Sequence, residues 1–171
     1  ATIIGIMLVS SSFAYAQDEC NQSPPDGMQE IAAFSIFQGN YSNGDYPFSL
    51  KYGRWMLCKK PETIENYPKF NLANQYQKLI KIYTEIGKSK EDPSEREAYI
   101  DTALALYEES FELFATTEEE KYTLHQRRGR FFLENYSAIP DGLQKAYTEF
   151  ETMFGIDPEK TTQLASGYYI K

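Results

Sequence analysis

Apolar and polar residues follow one another along most of the chain at the three- and four-residue spacing of an amphipathic helix. The first clear stretch places five residues on one helical face, Ala32, Ala33, Ile36, Phe37 and Tyr41. Polar side chains fill most of the positions between them. The pattern predicts a helix with one buried face, because a half-buried strand would instead alternate at every second residue.

A second helix is predicted directly after the first. Gly44 supplies a turn, Pro47 suits the first turn of a helix, and apolar residues follow at helical spacing. Lys59, Lys60 and Pro61 end this stretch, because cations favour a helix C-terminus and proline does not continue a helix. The two stretches therefore predict a helical hairpin.

A second helix pair is predicted further along the chain. Apolar residues recur at helical spacing from residue 73 to 86, and Gly87 follows at a position that predicts a left-handed C-cap. After a polar loop, Ser94 and Glu97 have the spacing of a capping box, which predicts the start of the partner helix.

A third pair begins at Thr117, which forms a capping box with Glu120. The turn residues 139–142 separate its first helix from its second. Pro158 then predicts the start of one more helix.

The first hairpin resembles a tetratricopeptide repeat (TPR). The resemblance rests on a turn glycine, an aromatic residue, a small residue, a flexible residue, an apolar residue and a closing proline, in the order Gly44, Tyr46, Ser49, Met56, Leu57 and Pro61. The second-helix pattern recurs in Ala103, Leu104, Tyr107, Ser110 and Phe111, and in Ala146, Tyr147, Phe150, Met153 and Phe154. The resemblance implies an all-α fold, a right-handed superhelical solenoid of antiparallel helix pairs with about three repeats and the start of a fourth.

The chain departs from the family pattern in two respects. The small residue of the second helix recurs after 54 and then 43 residues, at Ser49, Ala103 and Ala146, whereas the family repeats at about 34. Gly53 stands where the family has a bulky residue, and Phe37 where it has a small one. A generic α-helical hairpin repeat is the alternative to the TPR assignment.

The N-terminal residues predict an exported protein. The apolar run from Ile3 to Val9 and the Ala14-Tyr15-Ala16 sequence are typical of a signal peptide, residues 1–16, cleaved after Ala16. Residues 17–27 then form a linker, and residues 28–171 form the repeat domain, which we expect to continue beyond the given sequence. The expected location is the periplasm or cell envelope, with no transmembrane span in the mature chain.

The net charge of −8 argues against nucleic acid as a partner, because phosphate binding needs clustered Lys and Arg. Cys20 and Cys58 are the chain's two cysteines, and in an exported protein they form a disulfide candidate. The sequence leaves open whether the bridge forms.

The sequence does not predict an enzyme, a metal site or a cofactor. His125 is the single histidine, and its place in a helix predicts a surface residue rather than a catalytic base. The cysteines lie outside the usual zinc and redox motifs. Arg127, Arg128 and Arg130 form a basic cluster that either balances nearby glutamates or docks an acidic segment.

The TPR resemblance implies a protein or peptide partner, bound along the first helix of each pair. Carried over from the family, the binding positions are Phe34, Gln38, Tyr41, Gln77, Lys81, Thr84, Gln126, Arg130 and Leu133. The lysine and asparagine pattern of chaperone-binding TPRs is missing at these positions of the first repeat. The leading hypothesis is therefore an exported scaffold for another protein.

Two alternatives remain from the sequence. Tyr41, Tyr46 and Tyr52 suggest an exposed aromatic surface, as in a glycan- or nutrient-binding helical-repeat protein of the cell envelope. The second alternative is that the chain is the accessory N-terminal part of a larger enzyme.

Overall fold

The computed structural model describes residues 22–162, and over this range the protein is all-α. A single bridge between Ile64 and Tyr67 is the only strand-like pairing among these residues. The 3-10 turn Pro25–Gly27 precedes six α-helices: α1 Glu30–Asn43, α2 Tyr46–Lys59, α3 Leu72–Lys88, α4 Pro93–Phe114, α5 Glu118–Glu134 and α6 Gly142–Ile156. Residues 158–162 are again helical. The all-α prediction is confirmed.

The helices pack in sequence order, and the most extensive contacts lie within three pairs. These pairs are α1 with α2, α3 with α4, and α5 with α6; α2 also packs on α3, and α4 on α5. The pairs are the ones that the apolar spacing predicts. The predicted signal peptide, residues 1–16, lies outside the described residues.

The turn of the first hairpin forms as the sequence predicts. Gly44 ends α1 with a φ of 77°, a left-handed conformation that glycine adopts without a steric cost. Asp45 then caps α2, because its side chain accepts a hydrogen bond from the backbone N–H of Phe48. Pro47 lies in the first turn of α2, and Lys60 ends the helix.

Phe37 and Gly53 explain one departure from the TPR pattern. A Cβ atom on Gly53 would lie 2.7 Å from the Phe37 ring and 2.9 Å from the Leu79 side chain. The Phe37 ring, which is fully buried, therefore occupies the space that a side chain at position 53 would fill. The large and the small residue have exchanged places between the two helices, and the packed volume is kept.

Two local predictions in the second pair are wrong. Gly87 lies inside α3 with no positive φ, and Ser89 is the C-cap. Gly87 is instead small for packing, because an added Cβ would lie 3.0 Å from the Cβ of Tyr99 on α4. The N-cap of α4 is Asp92 rather than Ser94: Pro93 takes the first helical position, and the Asp92 carboxylate accepts from two backbone N–H groups.

The capping box of the third pair is confirmed. The Thr117 hydroxyl oxygen accepts from the Glu120 backbone N–H, and the Glu120 carboxylate accepts in return from the Thr117 backbone N–H at 2.9 Å. The Glu120 carboxylate also accepts from the Thr116 hydroxyl at 2.7 Å, and this hydrogen bond, together with those from Thr117, lowers the pKa of the Glu120 carboxyl group. The start of α5 is therefore fixed by residues that lie next to one another in sequence.

Candidate functional site

The residues predicted to bind a partner lie on α1, α3 and α5, the first helix of each pair. We call the surface of these three helices the A-helix face. Gln38 and Tyr41 are half-buried on α1, and Lys81 and Arg130 are exposed on α3 and α5. These side chains are open to a partner to different degrees.

Phe34 is not open to a partner. Its side chain is 2% exposed, and its ring packs edge-on against Tyr67 at 4.9 Å and Phe70 at 5.4 Å between centroids. Tyr67 and Phe70 belong to the connection between α2 and α3, which is part of the extra length of the second repeat. Phe34 is therefore a packing residue beneath this connection.

Tyr41 is the centre of a small basic cluster between α1 and α3. The Nζ atoms of Lys78 and Lys81 lie 5.4 Å and 5.8 Å from the centroid of its ring, within the range of a cation–π interaction. Lys78 also donates to the side-chain oxygen of Gln38. Gln38 donates in turn to Gln75 at 2.6 Å, so its amide links α1 to α3.

A groove of about 240 Å³ separates α3 from α5, and we call it the α3–α5 groove. Four of the predicted binding residues line it: Gln77, Lys81, Thr84 and Arg130. The Thr84 hydroxyl is not available to a ligand, because it is buried and donates to the backbone oxygen of Ile80 at 2.7 Å. The other lining residues are Ile80, Glu85, Lys88, Tyr107, Arg127, Phe131 and Glu134.

Gln126 and Leu133, the other two predicted binding residues of α5, are not among the residues that line the α3–α5 groove. Sequence reasoning missed Lys78 and Lys88 on the A-helix face, and it named Arg127 as part of a basic cluster but not among the binding positions carried over from the TPR family. A signal for Lys88 was present, since Gln77, Lys81, Thr84 and Lys88 follow one another at four-, three- and four-residue spacing. The position of Arg127 in the groove could not be predicted, because it depends on how the third helix pair packs against the second.

The basic cluster of α5 divides into two parts. Arg127 and Arg130 line the α3–α5 groove, whereas Arg128 turns towards α4 and α6. Its guanidinium nitrogens lie 2.6 Å from Glu108 and 2.9 Å from Glu149, and its central carbon lies 4.3 Å from the centroid of the Phe111 ring. Arg128 therefore balances charge between helices, one of the two roles that the sequence suggested.

His125 is not the surface residue that the sequence predicts. Its side chain is 18% exposed, its Nδ1 lies 2.8 Å from a carboxylate oxygen of Glu149, and its ring packs against Phe111 at 4.6 Å between centroids. The Glu149 side chain is 9% exposed. His125, Arg128 and Glu149 thus form a largely buried cluster of polar side chains, with an ion pair between Arg128 and Glu149, that joins α5 to α6.

A second cleft, of about 550 Å³, lies between α2 and the start of α4. Lys51, Arg54, Lys90 and Tyr99 contribute to its lining. Two of its cations already have carboxylate partners, since Lys51 lies 3.1 Å from Asp26 and Lys90 lies 3.0 Å from Glu95. This cleft is therefore less suited to an anionic ligand than the A-helix face.

Cys58 is half-buried near the end of α2 and is not a free thiol. Cys20 lies outside the described residues. The bridge between the two cysteines therefore stays a prediction.

Within residues 22–162, no helix has the length and apolar character needed to cross a membrane. The same residues hold no group of three or more His, Cys, Asp or Glu side chains arranged to bind a metal ion. Protein-family models, curated proteins and solved structures give no match to this chain. The residues and geometry described above are therefore the basis of the functional argument.

Proposed function

We propose that this protein is an exported, non-catalytic scaffold that binds a protein or peptide partner along its A-helix face. In this proposal the helix pairs stack as a right-handed TPR-like solenoid, and the A-helix face lines its inner surface. The signal-peptide pattern of residues 1–16 supports export to the periplasm or cell envelope.

The observation that carries the proposal is the α3–α5 groove. Gln77, Lys81 and Arg130, which the TPR resemblance selects from two different repeats, line this one surface. Lys81 also approaches Tyr41 of the first pair. Residues from three helix pairs thus form a continuous surface, as binding of an extended segment across several repeats requires.

The glycan-binding alternative has less support. Tyr52 is 6% exposed, and its ring packs near Phe48 at 5.2 Å between centroids, so it does not form part of an open aromatic surface. The half-buried Tyr41 and Tyr46 rings pack edge to face at 6.1 Å. A sugar-binding platform needs open ring faces, whereas two of these rings cover each other and the third is buried.

Affinity capture from the envelope fraction of the source organism tests the proposal. We expect the unmodified protein to retain a stoichiometric partner that the double variant Lys81→Glu/Arg130→Glu loses. The control, Lys69→Glu/Lys145→Glu, makes the same change in net charge at exposed lysines outside the groove and should keep the partner. Equal capture by both variants would contradict the groove assignment, provided that circular dichroism shows both to be folded.

A further inference from the structure

Lys78 is a half-buried cation without a carboxylate partner among residues 22–162. Its ammonium group contacts the neutral amide of Gln38 and the ring of Tyr41. Desolvation of the charged form lowers the pKa of Lys78. An anion placed beside this group would compensate a charge that the described part of the chain leaves unbalanced.

Two exposed cations extend this feature along the A-helix face. Lys81 approaches the same Tyr41 ring from α3, and Arg127 lines the α3–α5 groove from α5. Neither side chain forms an ion pair with any of the described residues. Three unpaired cations therefore lie on one surface.

This arrangement differs from the rest of the molecule. Most lysines elsewhere among residues 22–162 lie against carboxylates, in pairs such as Lys51 with Asp26 and Lys121 with Glu118, whereas Lys69 and Lys145 form no ion pair within that range. The chain as a whole carries a net charge of −8, so carboxylates outnumber cations. Lys78, Lys81 and Arg127 differ from the other cations in lying together on one surface, so a ligand on the A-helix face would meet several cations that have no carboxylate partner.

The groove also limits which anion fits. Glu85 and Glu134 interrupt the cations of the lining, and Glu85 lies 3.2 Å from Lys88. These two carboxylates disfavour a continuous polyanion, because like charges would meet along the groove. A volume of about 240 Å³ admits a few side chains and not a folded domain.

We infer that the A-helix face binds an acidic protein segment whose carboxylates are separated by uncharged residues. Its carboxylates meet Lys78, Lys81 and Arg127, and the residues between them lie against the groove near Ile80 and Phe131. The inference rests on the proposed function and specifies the chemistry of the partner.

The test is a fluorescence-polarisation titration with two synthetic ten-residue peptides. One alternates Glu or Asp with Leu or Ala, and the other carries Gln or Asn in place of every acid. The full mature chain is titrated as the unmodified protein, as Lys81→Gln/Arg127→Gln, and as the control Lys69→Gln/Lys145→Gln. Because the protein is acidic overall, binding of the acidic peptide reports a local site rather than general charge attraction.

We expect the acidic peptide to bind about tenfold more tightly than the amide peptide, and more weakly as salt is raised. Lys81→Gln/Arg127→Gln should weaken binding of the acidic peptide about tenfold, and the control variant should bind it within about twofold of the unmodified protein. Equal binding of the two peptides, or an equal loss in both variants, would overturn the inference.

Free citrate separates an acidic segment from a small anion. Competition by citrate at concentrations comparable to the peptide would also overturn the inference, since the site would then recognise a small anion alone. Should the peptides bind equally while partner capture still depends on Lys81 and Arg130, only the acidic preference fails. Should neither peptide binding nor partner capture depend on this face, the proposed function fails as well.

Discussion

Glu149 on α6 contacts two side chains of α5, those of His125 and Arg128. One of its oxygens lies 2.8 Å from Nδ1 of His125, and the other lies 2.9 Å from Arg128. All three side chains are largely buried, with exposed fractions of 9%, 18% and 14% for Glu149, His125 and Arg128. Removing Glu149 from its buried ion pair with Arg128 is costly, because the remaining charge on Arg128 keeps its desolvation penalty.

We therefore expect Glu149→Gln to lower the free energy of unfolding by about 3 kcal/mol. The matched control is Glu151→Gln, an exposed position on the same helix, which should change it by about 0.5 kcal/mol or less. Urea unfolding followed by far-ultraviolet circular dichroism measures both values. Equal effects of the two substitutions would show that the cluster does not hold α5 to α6.

At the residue scale, the sequence predicted features whose partners lie within a few residues of each other, and it did not predict contacts between different helices. The Thr117 capping box was predictable because its two partners are three residues apart. The role of Gly87 was not, because it depends on contact with Tyr99 on the next helix. His125 was misplaced for the same reason, since its partner Glu149 lies 24 residues away.

At the scale of the helices, the packing of α1, α2 and α3 depends on a large side chain at Phe37 and the absence of one at Gly53. The Phe37 ring lies where a Cβ on Gly53 would be, and Leu79 of α3 borders the same space. The cost of a side chain there is steric overlap in a closely packed core. The sequence showed that both residues were unusual for a TPR, but not that each compensates for the other.

Gly53→Leu should therefore lower the free energy of unfolding by about 2 kcal/mol or more. Combining it with Phe37→Ala should cost less than the sum of the two single changes, because the new side chain then has room. The control is Gly39→Ala on the neighbouring helix, where no atom lies within 4 Å of the added Cβ.

Gly39→Ala should raise the free energy of unfolding by about 0.5–1 kcal/mol, since alanine favours a helix. Thermal or urea unfolding of the four variants gives the complete comparison. Additive effects of Phe37→Ala and Gly53→Leu would contradict the size exchange.

At the scale of the molecule, the three helix pairs pack in sequence order, and the α3–α5 groove lies between the first helices of the second and third pairs. Hydrophobic spacing predicted the number and order of the helices, because each amphipathic face must be buried against a neighbour. It did not predict that the connection of residues 60–71 covers Phe34, nor that α3 and α5 enclose a groove. Both features depend on the relative position of the pairs, which periodicity along one helix does not encode.

The most direct test of the account is site-specific photo-crosslinking in the source organism. A benzoylphenylalanine replaces Gln77 in the α3–α5 groove or, as the control, the exposed Asp101 on α4. We predict a covalent adduct with one partner protein from position 77, lost in the Lys81→Glu/Arg130→Glu background, and no adduct from position 101. Adducts from position 101 alone, or from both positions equally, would contradict a partner bound along the A-helix face.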